Sequence, residues 1–172
     1  MRASILLSGL LLLSTAAAAQ DPAARGRPNV TEVFRQLASA AGEWSGAQDG
    51  HPVRVTYTLT GDGSALMESV VPVEDPGSTM ITMFTVDGDR LITTHYCAAH
   101  NQPQMTAERA GEPSEGVVFR LTRITGMRTA EDWHNTGLTF ILDDANHITQ
   151  HWTYAYRGRS GENVFHYTRL VR

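Results

Sequence analysis

The chain has 172 residues, one cysteine, no lysine and a formal net charge of −4 at pH 7. The absence of lysine excludes Schiff-base and lysine-nucleophile chemistry, and a weakly acidic chain without a basic stripe argues against nucleic acid as a partner. A single cysteine cannot form an internal disulfide, so one hydrophobic core has to stabilise the fold.

The first 28 residues have the composition of a targeting segment and a leader. Residues 1–19 combine a charged start, a short apolar centre and a small-residue end, as in secretory signal peptides. The apolar run is shorter than the ~20 residues that a membrane-spanning helix needs. We therefore predict signal cleavage near Ala19, an exported protein that is periplasmic or extracellular, and no transmembrane segment in the mature chain. Residues 20–28 should form a flexible leader and residues 29–172 one domain.

A short helix is predicted directly after the leader. Asn29 is a suitable N-cap with Glu32 three residues later, and Gly42 ends the pattern. Between them the apolar residues recur at helical spacing: Val30, Val33, Phe34, Leu37 and Ala41. Because this apolar stripe is narrow, the helix should pack across one end of a sheet.

From Glu43 onward the hydrophobic period changes to two, which is typical of strands. We predict ten strands, near Glu43–Ala47, Val53–Thr60, Ala65–Val71, Met80–Val86, Arg90–Cys97, Gln104–Arg109, Val117–Ile124, Leu138–Leu142, His147–Arg157 and Asn163–Leu170. Asp87-Gly88 should form a two-residue primed turn with positive φ at both positions.

Sequential strands joined by short turns predict an antiparallel meander. Closure into a barrel removes the exposed sheet edges, whereas an open sandwich is the alternative. The predicted fold is therefore all-β, an antiparallel up-and-down barrel of about ten strands preceded by one short α-helix. A barrel of this size has room for one small ligand.

Two passages carry a resemblance to a known family. Gly42-Glu43-Trp44 after a short helix resembles the opening of calycin-type barrels, where the tryptophan plugs one end. With the strands around Trp152 and His166, the chain resembles the lipocalin-like group. The passage over residues 94–105 is similar to one in uncharacterised small secreted bacterial proteins. The resemblance implies a ligand-binding barrel and fixes architecture more than activity.

The segment at the end of the fifth strand holds the best candidate site. His95 and Cys97 should share one face of that strand and Tyr96 the other, because side chains alternate. The carboxamides of Asn101 and Gln102 follow in the next turn. We expect these five side chains near the polar end of a binding pocket.

The ninth predicted strand carries a bulky aromatic face. Trp152 and Tyr154 alternate with smaller polar residues and could form an amphipathic wall for a ligand with an apolar body and a polar head. The leading hypothesis is an exported protein that binds a small, apolar or amphipathic molecule and uses no cofactor.

Other functions remain open from the sequence. Cys97 could act as a nucleophile with His95 as its base and an oxyanion donor from the following carboxamides. The same two side chains could bind a metal with His100 or His151. Nitrobindin, a related haem-binding barrel, suggests His166 as an iron ligand, although its glycine-rich first strand is absent here. A barrel with a filled interior would be a structural or interaction module instead.

Overall fold

The computed structural model describes residues 29–110 and 116–170 and shows a closed barrel of ten antiparallel strands. Each strand pairs with its sequence neighbours, and the first strand pairs with the last. The elements are α1 (Val30–Ala38), β1 (Gly42–Gln48), β2 (His51–Thr60), β3 (Ala65–Pro72), β4 (Met80–Asp87), β5 (Arg90–Tyr96), β6 (Gln102–Ala110), β7 (Val117–Thr125), β8 (His134–Leu142), β9 (His147–Tyr156) and β10 (Arg159–Arg169), with one 3₁₀ turn at Pro76–Ser78. The predicted fold class is confirmed.

The predicted signal peptide and leader, residues 1–28, lie outside the described residues. Within the part of the chain that is described, no helix has the length and apolar character needed to cross a membrane.

The helix begins as predicted but its cap differs. The Asn29 side chain accepts a hydrogen bond from the Thr31 amide at 3.1 Å, which satisfies one free donor of the first turn. Glu32 does not complete a capping box, because it pairs with Arg35 on the exposed side. Val33 and Leu37 are buried. The helix therefore covers one end of the barrel, in contact with β4 and β5.

The hairpin between β4 and β5 corrects the predicted turn. Asp87 pairs with Arg90, so Gly88 and Asp89 are the two loop residues. Only Gly88 has positive φ, at 61°, which is the pattern of a type II′ turn. The prediction of positive φ at Asp87 and Gly88 was wrong, because the strand runs one residue further than the sequence pattern indicated.

Two primed turns were missed for a similar reason. Asp49 and Gly50 have φ of 51° and 82°, and Arg157 and Gly158 have φ of 47° and 71°, so both pairs form type I′ hairpins. The second turn starts β10 at Arg159, where the sequence suggested Asn163. Polar residues at the ends of paired strands hide the strand pattern, although the backbone ladder continues through them.

The first and last strands are joined by a buried tryptophan and an arginine. Trp44 is fully buried and its indole Nε1 donates to the Ala40 carbonyl at 2.9 Å. The Arg169 guanidinium lies 4.1 Å from the centre of the Trp44 ring and donates to three main-chain carbonyls, those of Ser39, Ala41 and Ala145. This contact ties β1, β10 and the segment after α1 together. We call this end of the barrel the helix end.

An aromatic cluster fills the half of the interior next to the helix end. Trp44, Tyr57, Phe140, Phe84 and Phe119 form a chain of ring contacts with centroid separations of 5.8 to 6.2 Å. Most of these pairs are T-shaped, a favoured arrangement for aromatic rings. This half of the interior is packed with side chains, and the cavity described below lies towards the opposite end.

Replacing Arg169 should weaken the closure of the barrel. We expect Arg169→Ala to lower the free energy of unfolding by about 2 kcal/mol, because three carbonyls lose a charged donor and Trp44 loses its covering cation. Urea unfolding followed by tryptophan fluorescence measures this change. The exposed Arg159 on the same strand is the matched control, and equal losses for both alanine variants would contradict the role given to Arg169.

Candidate functional site

A cavity of about 160 Å³ lies inside the barrel at the end opposite the helix, which we call the open end. In an up-and-down barrel the turns after β1, β3, β5, β7 and β9 all lie at this end. Twelve residues line the cavity: Gln48, Asp49, Glu68, Val70, Met80, His95, Cys97, Trp133, Asn135, Trp152, Asn163 and Phe165. The lining therefore combines aromatic and apolar side chains with amides, carboxyls and an imidazole.

A buried carboxyl group forms the base of the cavity. Glu68 is 1% exposed, and its Oε1 accepts hydrogen bonds from the Tyr57 hydroxyl and from the Gln150 amide, both at 2.6 Å. The same amide donates to the Tyr57 oxygen at 2.9 Å, and the Gln150 carbonyl accepts from the Trp152 indole at 2.8 Å. The network links β2, β3 and β9 across the interior, so it holds Glu68 in one position.

His95 joins this network through Thr82. The Thr82 Oγ1 and the His95 Nδ1 are 3.0 Å apart, and the Thr82 hydroxyl also hydrogen-bonds the Glu68 carboxyl. The imidazole packs against the Trp152 ring at 4.8 Å between centroids. Two of the predicted site residues, His95 and Trp152, thus lie together beside a carboxyl group that the sequence analysis did not select.

Burial shifts both titratable groups towards their neutral forms. Desolvation raises the pKa of Glu68 above its usual value, against the opposing effect of its hydrogen-bond donors. Desolvation lowers the pKa of His95 to about 4. At neutral pH the imidazole is therefore uncharged, and it does not provide a cation to pair with Glu68.

Cys97 lines the same cavity but lacks the features of an activated thiol. Its Sγ accepts a hydrogen bond from the Ala99 amide at 3.4 Å, and burial raises the thiol pKa, so the nucleophilic thiolate is disfavoured. Within the described chain no hydrogen bond joins Cys97 to His95, whose Nδ1 is engaged by Thr82. The arrangement does not favour the alternative in which these two residues perform nucleophilic catalysis.

Tyr96 and Gln102 lie outside the cavity. Tyr96 is 50% exposed, and both residues line a shallow depression on the outer surface of the barrel. The Gln102 carbonyl oxygen accepts from the Thr125 hydroxyl at 2.9 Å. The structure therefore separates these two predicted site residues from His95 and Cys97.

Asn101 supports the wall of the cavity instead of lining it. It is almost fully buried, and its amide nitrogen donates to the Trp133 carbonyl at 2.7 Å. Trp133 lies at the open end and stacks on Tyr154, with ring centres 5.6 Å apart and planes inclined by 27°. The predicted residues Asn101 and Tyr154 thus position Trp133, which the sequence analysis missed.

A wider groove of about 610 Å³ adjoins the cavity on the outer side of Trp133. It is formed by the turns around His100, Arg128 and Arg157, and its charges are mixed because Asp132 pairs with Arg128. Since its walls are mainly exposed turn residues, we place the candidate binding site in the buried cavity rather than in the groove.

The geometry at His166 does not suit a haem. His166 is exposed on the outer face of β10, 3.0 Å from the Thr149 hydroxyl, whereas Phe165 on the next position lines the cavity. The cavity is also far smaller than a porphyrin ring. Within the described residues, no group of three or more histidine, cysteine, aspartate or glutamate side chains is arranged to hold a metal ion.

Glu68 and Gln150, which the sequence analysis did not select, could have been found from the alternation of side chains along their strands. Glu68 lies on the same side of β3 as Leu66 and Val70, so a carboxyl occupies a position where the pattern requires an apolar side chain. Gln150 similarly alternates with Ile148 on β9. A polar residue on the apolar side of a strand was the available sign of a buried network.

Comparison with known proteins adds no assignment. No family model matches the sequence, and no curated protein matches it. What the cavity does has to be argued from its own residues.

His95 should make the protein less stable in acid. Because its folded pKa is depressed, its contribution is complete above the unfolded value near 6.5 and is lost as pH falls towards about 4. At 1.36 kcal/mol per pKa unit the loss is roughly 3 kcal/mol. We expect the difference in unfolding free energy between wild type and His95→Gln to shrink over this range. Urea titrations at several pH values measure it, with the exposed His166→Gln as control; a pH-independent difference would contradict the assignment.

Glu68 should show the opposite dependence. Its folded pKa is raised, so the stability it provides is complete below the unfolded value, near 4.5, and declines as pH rises towards the folded value. Glu68→Gln should therefore gain stability relative to wild type as pH rises above that value. The same urea titrations test this prediction. If Glu68→Gln instead became less stable relative to wild type as pH rises, the folded state would favour the charged form of Glu68.

Proposed function

We propose that the protein binds a small amphipathic molecule in the cavity at the open end of the barrel. The observation that carries this proposal is an unpaired polar group inside the cavity. Asn135 is 4% exposed, lines the cavity and makes no side-chain hydrogen bond among the described residues. The Asn135 amide is not among the side-chain atoms that are both unpaired and closed to water, so it is open to the cavity and can bond to a polar atom of a ligand.

The rest of the lining supports a ligand with two chemically different sides. Trp152, Phe165 and Met80 provide apolar surface, whereas Asn135 and Asn163 provide amides. Such a combination orients a molecule that has an apolar body and a few polar atoms. The cavity volume favours a ligand close to benzene in size, since apolar cavities of roughly 150 Å³ accept benzene.

The biological setting remains part of the proposal. The composition of residues 1–19 supports export to the periplasm or the extracellular space. The closed ten-stranded barrel is compatible with the lipocalin-like resemblance of the Gly42-Glu43-Trp44 passage. We propose on these grounds an exported carrier or sensor of a small metabolite.

A side chain that fills the cavity should abolish binding. Val70 is buried and lines the cavity, so Val70→Phe places a ring where the ligand would lie. Ser69→Phe adds the same ring to the outward side of the same strand and is the matched control. Protein NMR spectra recorded with a set of neutral, cationic and anionic compounds of benzene-like size measure binding.

We expect shifts at cavity residues in wild type and in Ser69→Phe, and none in folded Val70→Phe. The overpacked variant should lose about 1–3 kcal/mol of stability, which circular dichroism and urea unfolding monitor. Binding that persists in Val70→Phe would place the ligand elsewhere, and the absence of any binding compound would contradict the proposed function.

A further inference from the structure

Acidic side chains outnumber cationic ones around the cavity. Its lining includes the carboxyl groups of Glu68 and Asp49 but no arginine, and the chain has no lysine. Among the described residues of the lining, His95 is the one basic side chain, and it is neutral at neutral pH. An anionic ligand would therefore meet two carboxyl groups and no cation, whereas a cation would find in either carboxyl a partner that can carry the opposite charge.

The walls of the cavity are suited to a cation as well. Trp133, Trp152 and Phe165 present aromatic rings to the space, and aromatic faces attract ammonium groups more strongly when water is excluded. The Asn135 side chain, which makes no hydrogen bond to another residue in the described part of the chain, offers a carbonyl oxygen to an N–H donor. These features are independent of the carboxyl groups and favour the same ligand.

We propose that the ligand is a small organic cation, an ammonium group on an apolar body of about benzene's size, which pairs with Glu68. This inference rests on the proposed function and names its ligand class. Glu68 lies at the base of the cavity and Asp49 is exposed at its mouth, so the ammonium group enters past one carboxyl and pairs with the other.

Pairing of Glu68 with a cation changes the proton that the carboxyl group binds. Burial raises the pKa of the Glu68 carboxyl above its usual value, and an ammonium ion beside it lowers that pKa. Any proton that the carboxyl group holds before the cation binds is therefore released to solvent, while the ammonium keeps its own. The titratable groups that surround this carboxyl are Tyr57, Tyr167 and His95, and the first two have pKa values raised by burial, so both remain neutral.

Three probes of matched size separate charge from shape. Benzylamine is a cation, benzyl alcohol is neutral and benzoate is an anion, and all three carry one aromatic ring. We expect isothermal titration calorimetry to show that benzylamine binds at least about tenfold more tightly than either of the others. Titrations between about pH 4 and 8, in two buffers of different ionisation enthalpy, should show proton release on benzylamine binding at the acidic end of the range, because the folded pKa of Glu68 lies above its usual value of 4.5.

A carboxamide variant tests the partner of the cation. Glu68→Gln should remove the preference for benzylamine and its proton release, while the affinity for benzyl alcohol changes less than about threefold. Glu74→Gln removes an exposed carboxyl group at the same end and should leave both intact. The calorimetry in two buffers uses the wild-type protein alone. It therefore tests the pairing of the cation with a carboxyl group even if Glu68→Gln fails to fold.

The binding results test the proposed ligand class separately from the proposal that the cavity binds a ligand at all. If benzyl alcohol or benzoate binds as tightly as benzylamine, or if benzylamine binds without proton release at any pH in the range, the cation assignment is overturned and the cavity remains a binding site. If none of the three probes and none of the wider set of compounds binds, both proposals fail.

Discussion

The buried carboxyl group of Glu68 determines the polarity at the base of the cavity. Glu68 is held by Tyr57 and Gln150, and Thr82 connects it to His95. A buried carboxyl group is expensive to ionise, so the network satisfies its oxygens with neutral donors instead of a cation. The described lining of the open space beside it therefore has a polar base and no arginine, and on this ground we propose the base of the cavity as the recognition element for a cationic ligand.

The two ends of the barrel differ in how their interiors are packed. At the helix end, Arg169 covers Trp44 and joins the last strand to the segment before the first, and the aromatic cluster behind it leaves no room for a ligand. At the open end, aromatic and apolar side chains alternate with polar ones around a cavity, and Trp133 forms part of its wall. Rigid packing at one end gives the network at the other a fixed frame, and this precise positioning makes selective binding possible.

Much of the fold follows from the local pattern of the sequence. A period of two with short turns predicts the ten strands, and the apolar stripe near Val33 predicts the helix. The strand ends are less predictable, because the ladder at Asp87 and Arg159 continues through polar residues that resemble loop. Alternation also explains the placement of Tyr96, which lies on the opposite side of β5 from His95.

The buried network is harder to predict because its members are far apart in the chain. Tyr57, Glu68, Thr82, His95 and Gln150 lie on five strands and meet only when the barrel closes. The sequence places each residue on the inner or outer side of its strand but gives no information on its partners across the interior. His95 and Trp152 were selected for their chemistry, whereas Glu68 looked like a single acidic residue among apolar ones.

The most direct test of this account is the ionisation of Glu68 itself. The ¹³C chemical shift of its side-chain carboxyl carbon, followed through a pH titration, reports that group alone. The account predicts a midpoint above the usual value of 4.5 in the free protein, and a fall in that midpoint when benzylamine is added. A midpoint at or below the usual value that benzylamine does not move would contradict it.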